Sequence, residues 1–150
     1  MVNHPMEELS RDECNALLRS ARFGRVVYTD RALPACTPVN YAVDRSTIVF
    51  RTAPGSRLAT ATDHEVVAFE VDEIDPKTES GWTVIVTGNA APIVAASALV
   101  RAEQLGLSAW APGQREHWVR LTPGIVTGRR LLAVSAASEP AGADAEAGAR

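Results

Sequence analysis

The residues best suited to bind a ligand lie in one short segment, residues 50–58 (FRTAPGSRL). A β-rich run ends at Thr52, a Pro-Gly turn follows, and Ser56 can cap a short helix that begins at Arg57. Free N–H groups at a helix N-terminus, a serine hydroxyl and a guanidinium all donate hydrogen bonds to phosphate oxygens. The segment therefore predicts a phosphate-binding turn, to which Arg51 and Thr52 add donors, although a well-capped helix with an exposed arginine fits the same pattern.

Outside this segment, few residues are arranged for chemistry. The glycine-rich dinucleotide and P-loop motifs, the nucleophile elbow of hydrolases and the zinc-protease helix motif are absent from the sequence. Cys14 and Cys36 form no C-x-x-C pair, and His4, His64 and His117 lie far apart without ligand-type neighbours. We therefore predict two buried thiols, no disulfide and no metal site, and we expect His117 to face solvent at the start of a strand.

The charge of the chain argues against one broad class of function. Fifteen Lys and Arg against 18 Asp and Glu give a net charge of −3 over 150 residues. General binding to nucleic acid or to an anionic membrane needs a clustered positive surface instead. No apolar run approaches the roughly 18 residues of a membrane span, and the polar N-terminus shows no signal-peptide core. We therefore expect a cytoplasmic protein with no nucleic-acid or membrane partner.

Helices are predicted at three places in the chain. Ser10 and Glu13 have the spacing of a capping box, which predicts a helix over residues 10–22 that Gly24 brings to an end. Two further helices are expected, over residues 57–62 and 95–105. The second of these precedes a loop over residues 107–116, which carries Trp110.

Runs of β-branched and aromatic residues separated by short turns account for most of the remaining chain. The predicted strands are 25–29, 35–43, 46–52, 66–71, 82–93, 117–122 and 125–134. Gly88, in the middle of the fifth of these strands, indicates a bulge or a close approach by another part of the backbone. The acidic segment 73–81 is expected to be a loop.

Together these elements indicate one mainly β domain. Six or seven strands joined by short links favour antiparallel pairing, and this number of strands in a chain of this size suggests a small barrel. The predicted domain spans residues 9–134 and follows a flexible lead-in over residues 1–8. The tail over residues 135–150 contains no apolar residue larger than alanine, so we expect it to be disordered.

Several segments, taken in order, resemble those of a known protein family. They are 38–41 (PVNY), 48–58 (IVFRTAPGSRL), 81–88 (GWTVIVTG), 118–121 (WVRL) and 127–130 (TGRR). The pattern is similar to that of the pyridoxamine 5′-phosphate oxidase-like flavoproteins, in their small bacterial branch, and covers most of the predicted domain. The resemblance implies a split β-barrel with a few helices that binds FMN at the interface of a homodimer.

The resemblance also implies roles for the residues of the candidate turn. Thr52, Ser56 and Arg57 match the phosphate-binding turn of the family. Arg51 stands where the nitroimidazole-reductase-like branch often has a histidine, so it argues against that activity and offers an extra phosphate ligand.

Other residues are implied to contact the flavin ring. Four of them come from two strands, the first beside the isoalloxazine and the second at its polar edge: Pro38, Val39 and Asn40, and then Thr83. Trp110 and Arg129 are candidates for contacts made by the partner subunit. Trp82 is expected to anchor the barrel or the dimer interface rather than to stack on the flavin.

The implied activity is that of an oxidoreductase, in which hydride passes through flavin N5 between a nicotinamide-type donor and a small acceptor. The chain lacks the C-terminal Arg/His substrate segment of true pyridoxamine phosphate oxidases, so oxidation of that vitamin is not expected. Two alternatives remain open on the same fold. One is a reductase that uses the deazaflavin F420, and the other is a non-catalytic protein that binds flavin or haem.

Overall fold

The computed structural model describes residues 5–108 and 116–134. Within them the predicted mainly β fold is confirmed, with seven antiparallel strands and three helices. The strands are β1 (Met6–Glu8), β2 (Phe23–Asp30), β3 (Leu33–Asp44), β4 (Thr47–Thr52), β5 (Glu65–Asp75), β6 (Ser80–Pro92) and β7 (His117–Leu131). The helices are α1 (Arg11–Ser20), α2 (Arg57–Ala61) and α3 (Ala96–Glu103).

The strands form one sheet that closes on itself. Its order is β1-β7-β4-β3-β2-β5-β6, and an additional pairing of β6 with β7 joins the two sides. Six strands therefore make a closed barrel, and β1 is added along the far end of β7. Closure of this kind removes open sheet edges, which otherwise invite pairing with other chains.

Inward-facing side chains of every barrel strand fill the interior. Phe50, Phe69, Ile48 and Leu121 are among the largest fully buried residues, and each stabilises the fold by about 1.5–3 kcal/mol through burial. Trp82 belongs to the same core, as a barrel anchor would. A smaller apolar cluster lies under α3, where Val49, Ile93, Ala102 and Trp118 pack together. In the described part of the chain, no helix has the length and apolarity needed to cross a bilayer.

Helix α1 follows the sequence prediction closely. Ser10 and Glu13 make both hydrogen bonds of the capping box, and the hydroxyl of Tyr41 donates to the carbonyl oxygen of Leu18 at 2.5 Å. The helix ends at Ser20, however, and Gly24 lies in β2 rather than at the helix end. A Cβ atom at Gly24 would collide with the ring of Phe69, so packing inside the barrel requires this glycine.

Three parts of the chain differ from the predicted elements. Residues 6–8 were predicted to be a flexible lead-in but form β1, where Met6 pairs with Leu131. The predicted acidic loop over 73–81 is largely a two-stranded ribbon, because β5 continues to Asp75 and pairs there with Ser80. Its side chains are almost all exposed, so a loop-like composition is compatible with paired strands. Cys36 is exposed, not buried.

The last two predicted strands form one continuous strand, β7. The prediction of a bulge or close approach at Gly88 is confirmed, since the register between β6 and β7 shifts between Thr87 and Gly88. A Cβ atom at Gly88 would collide with the carbonyl oxygen of Thr122. This irregularity lets β7 pass Pro123, which has no N–H to pair, without ending.

Candidate functional site

The predicted phosphate-binding turn joins β4 to α2. Alternation along β4 points Phe50 into the core and Thr52 to the same side, at the end of the barrel. Gly55 has a φ of +70°, which a glycine adopts without strain, and Ser56 then accepts a hydrogen bond from the N–H of Ala59 at 3.1 Å. The turn brings the hydroxyl oxygens of Thr52 and Ser56 to 3.1 Å from each other.

The paired hydroxyls have one proton left for a ligand. Each hydroxyl carries a single proton, and one of them is used in the hydrogen bond between Thr52 and Ser56. Whichever residue donates, the other keeps its proton free for an acceptor outside the pair. Helix α2 has only five residues, so its dipole adds little, and binding of an anion here depends on side chains.

Arg57, which directly follows Ser56, adds a positive charge to the turn. Its side chain is 71% exposed, and its Nη1 lies 3.5 Å from Oδ2 of Asp30. Exposed ion pairs of this kind contribute about 0–1 kcal/mol, so Asp30 holds the guanidinium only weakly. Arg57 is therefore available to a phosphate at the turn.

The strand predicted to lie beside the flavin ring runs next to the same turn. The register of β3 with β4 ends with Tyr41 opposite Phe50, so the preceding residues of β3 lie beside the end of β4. Val39 is buried in the core, Pro38 is exposed, and Nδ2 of Asn40 donates to the carbonyl oxygen of Ser108 at 3.2 Å. The structure thus places the β3 segment predicted to face the flavin next to the strand that leads into the predicted phosphate-binding turn.

Arg51 faces away from the two hydroxyls. It lies on the opposite face of β4 from Thr52, with its side chain only 14% exposed. Its Nη1 is 2.5 Å from Oε1 of Glu116, and its guanidinium lies 5.4 Å from the ring centroid of Trp118. This arginine is held by those two neighbours, and its role as a phosphate ligand stays a prediction.

The other predicted contact residues lie elsewhere. Thr83 and Arg129 are opposite each other in the β6–β7 register, at the end of β7 remote from the turn. Thr83 donates from Oγ1 to Oε1 of Glu70 at 3.1 Å. Trp110 lies outside the described residues.

His117 is a residue that the sequence analysis missed. It lies directly opposite Thr52 in the β4–β7 register, and its Nε2 is buried with no hydrogen-bond partner among the described residues. The sequence contained a signal for this position: His117, Val119 and Leu121 alternate along one strand, and the last two are typical core residues. We name Thr52, Ser56, Arg57 and His117 the Thr52 cluster.

A second polar group, the Asp44 cluster, lies at the opposite end of β4. Oδ1 of Asp44 accepts from Nη2 and Nε of Arg101 at 2.6 and 3.2 Å, and Oδ2 accepts from Nη1 of Arg120 at 3.1 Å. The same Arg120 nitrogen donates to Oγ1 of Thr47 at 2.5 Å, and that hydroxyl donates to the Asp44 carbonyl at 2.9 Å. A surface cavity of about 500 Å³ lies beside this cluster, against α3.

The outside of the barrel carries apolar side chains where polar ones are usual. Val27, Val66, Ile85 and Ile125 are all exposed on the outward-facing sides of β2, β5, β6 and β7. An antiparallel sheet with one face on the core normally presents polar residues on the other face. We call these four residues the outer apolar face.

An ionic group adjoins the outer apolar face. Arg25 Nη1 lies 3.1 Å from carboxylate oxygens of both Glu70 and Asp72. Burial raises the pKa of Glu70, and the hydrogen bond and charge of the neighbouring Asp72 raise it further.

Comparison with known proteins places the chain in a family. The family model described as pyridoxamine 5′-phosphate oxidase matches residues 10–130. The structure of a Mycobacterium smegmatis FAD binding protein is 38% identical, with 84% of this chain and 100% of that chain covered and a TM-score of 0.74. A conserved protein of unknown function from Corynebacterium diphtheriae is 30% identical, with 85% and 99% covered and a TM-score of 0.74.

A curated relative gives the same result from sequence. The uncharacterized protein Rv0080 of Mycobacterium tuberculosis is 38% identical over 133 residues, which are 85% of this chain and 87% of the relative. The residues matched by the family model extend from the cap of α1 almost to the end of β7, and this chain therefore belongs to the pyridoxamine 5′-phosphate oxidase family.

Proposed function

We propose that this protein binds a flavin nucleotide and transfers hydride between a nicotinamide-type donor and a small acceptor. The observation that carries the proposal is the Thr52–Ser56 hydroxyl pair at the end of β4, the strand that pairs with β3 just after its segment 38–40. Arg57 directly follows Ser56 and adds an exposed positive charge. The 38% identity to a mycobacterial protein described as FAD binding supports the choice of a flavin. These residues suit a phosphate at the turn, because they provide protons and positive charge rather than competing acceptors.

The residues of this chain bind and orient the cofactor. A bound flavin supplies the redox chemistry, so no acid–base group of the protein is needed for hydride transfer itself. The free hydroxyl proton and the Arg57 guanidinium hold the phosphate. Val39, buried in the core, fixes the backbone of β3, so that Pro38 and Asn40 present a constant surface to the ring.

The form of the flavin is part of the proposal. The resemblance to the family predicts FMN, whereas the Mycobacterium smegmatis relative is described as an FAD binding protein, so FAD is the first form to test. Both carry a phosphate on the ribityl chain, which the Thr52 cluster suits equally. They differ in the adenylate group, which needs further contacts beyond Arg57.

The direct test begins with the absorbance spectrum of the purified protein. Heat then releases any bound cofactor, which is identified by chromatography with FAD, FMN and F420 as standards. We expect a flavin spectrum with about one flavin per chain. The apoprotein is then titrated with each cofactor, and the reduced holoprotein is mixed with candidate acceptors. Failure of all flavins to bind at micromolar concentration refutes the proposal, and tighter binding of F420 replaces the cofactor.

We also propose a homodimer in which a second copy of the chain covers the outer apolar face. Arg129 lies at the end of β7 remote from the turn of its own chain, so it reaches a flavin at that turn only from the partner subunit. Apolar side chains on the outside of a closed barrel are stabilised when another surface removes them from water.

Replacement of one residue of the outer apolar face tests the dimer. Ile125→Glu places a charge in the proposed interface, and we expect light scattering to show a monomer at micromolar concentration where the unaltered protein is a dimer. Val94 is equally apolar and 78% exposed, but it lies between β6 and α3, so Val94→Glu is the matched control and should stay dimeric. A monomeric unaltered protein contradicts this part of the proposal.

A further inference from the structure

His117 contains a buried nitrogen without a partner in a site otherwise rich in donors. Its Nε2 has no hydrogen bond among the described residues, although it is inaccessible to solvent. A buried polar atom left unpaired destabilises the fold, so such atoms are rare in folded proteins. A phenylalanine of similar shape at this position would avoid that cost.

Its neighbours on either side do have partners. Glu116 is bound to Arg51, and Trp118 packs under α3 with the Arg51 guanidinium over its ring. Trp118 lies on the outward-facing side of β7, and Glu116 comes directly before the strand. His117 faces the other way, toward Thr52, and residues opposite each other on antiparallel strands have Cβ atoms about 4.5–5.5 Å apart.

The groups near His117 indicate which kind of ligand completes the site. The Thr52–Ser56 pair has one hydroxyl proton to donate, and Arg57 has only donors. A ligand that satisfies both must offer several acceptor oxygens and negative charge, as a phosphate does. The imidazole of His117 is half-buried, and a rotation about its Cβ–Cγ bond changes the direction in which Nε2 points.

We propose that His117 is a ligand of the flavin phosphate and that it donates from Nε2 to a phosphate oxygen alongside Thr52 and Ser56. This inference rests on the proposed function, because it names a further residue of that binding site. It assigns the unpaired nitrogen to ligand binding rather than to stability of the fold.

The test compares FMN with riboflavin, which lacks the phosphate. His117→Phe should weaken FMN binding roughly tenfold or more, as expected for loss of a hydrogen bond to a charged group, and should change riboflavin binding less than about twofold. His117→Gln keeps an N–H near the position of Nε2 and should stay within about threefold of the unaltered protein for FMN. His64→Gln, at an exposed histidine beside Asp63, is the control and should change neither affinity.

Stability and NMR measurements separate the possible outcomes. The His117→Phe apoprotein should melt at the same temperature as the unaltered protein or higher, because an unpaired polar atom is replaced by carbon. Inorganic phosphate added to the apoprotein should shift the Nε2 resonance of His117 but not that of His64. Equal loss of FMN and riboflavin affinity, or an unchanged FMN affinity, overturns the inference while flavin binding stands. If no flavin binds, the proposed function fails, and the phosphate titration alone decides whether His117 is an anion ligand.

Discussion

At the Thr47 end of β4, one buried carboxylate receives three hydrogen bonds from two arginines, and a threonine completes the group. At the Thr52 end, two hydroxyls share a single hydrogen bond, an arginine has only a weak exposed pair, and the nitrogen of His117 is unpaired among the described residues. The same six-residue strand thus joins two different groups. The polar atoms of the Asp44 cluster are paired, whereas the Thr52 cluster has hydrogen-bond donors without a protein partner among the described residues.

Hydrogen bonding, rather than cavity size, therefore favours the Thr52 cluster as the candidate ligand site. The cavity of about 500 Å³ lies beside the Asp44 cluster, where two arginines already neutralise the carboxylate. A charged group that is buried and fully paired serves the fold, because any ligand would have to displace those bonds. The exposed Arg57 guanidinium of the Thr52 cluster can exchange water for a ligand without disrupting a buried network.

The largest expected effect is on stability, at the Thr47 end of β4. Asp44→Ala leaves Arg101 and Arg120 without their shared carboxylate and should lower the free energy of unfolding by about 2–3 kcal/mol, less than for a fully buried pair because Arg101 is partly exposed. Urea denaturation at pH 7 measures the change. Asp30→Ala removes a carboxylate whose pairs are exposed and should cost no more than about 0.5 kcal/mol. Equal effects of the two substitutions would remove the distinction between the clusters.

A smaller effect is expected on ligand affinity, at the Thr52 end of β4. Arg57→Ala should weaken flavin binding by about 2 kcal/mol, near thirtyfold in dissociation constant, because a charged hydrogen bond to the phosphate is lost. The free energy of unfolding of the Arg57→Ala protein should change little, since the Arg57 side chain is exposed. Arg31→Ala is the matched control: Arg31 is also exposed and also pairs with Asp30, but it is not in the turn. Flavin fluorescence quenching gives both affinities, and similar losses for the two arginines would exclude Arg57 from the site.

The two clusters also differ in how far the sequence could predict them. Thr52, Ser56 and Arg57 are neighbours in sequence, so turn and capping patterns were enough to group them. His117 joins them only through the pairing of β4 with β7, which are far apart in the chain, and short-range patterns contain no record of that pairing. Asp44 needs Arg101 from α3 and Arg120 from β7, so its network was beyond a local interpretation for the same reason.

Elsewhere, the fold was predicted better than the positions of individual side chains. The capping box of Ser10 and Glu13 and the irregularity at Gly88 depend on local rules and are present in the structure. The strand count also agrees, but only because the unpredicted β1 offsets the two predicted strands that form the single strand β7. Arg51 was grouped with Thr52 because the two are adjacent, but adjacent residues of a strand point to opposite faces. The length of the β5–β6 ribbon was underestimated, because its exposed acidic side chains give a composition that is typical of loops.

The smallest expected effect is in the pH dependence of the stability that the Asp44 cluster provides. Burial alone would raise the pKa of Asp44, but the hydrogen bonds and charges of Arg101 and Arg120 outweigh it, so its pKa lies below the ordinary value. A carboxyl with a lowered folded pKa stabilises the fold fully above its unfolded pKa, about 3.9 for aspartate, and loses that contribution as the pH falls through the folded pKa. The stability difference between the unaltered protein and Asp44→Asn should therefore be constant from pH 7 to about pH 5 and shrink below about pH 4. Denaturation curves at these pH values measure it. Asp30→Asn provides the comparison at a partly buried carboxyl whose two arginine partners are exposed. A stability difference for Asp44→Asn that grows as the pH falls would contradict an ionised Asp44 paired with both arginines, on which the contrast between the two ends of β4 depends.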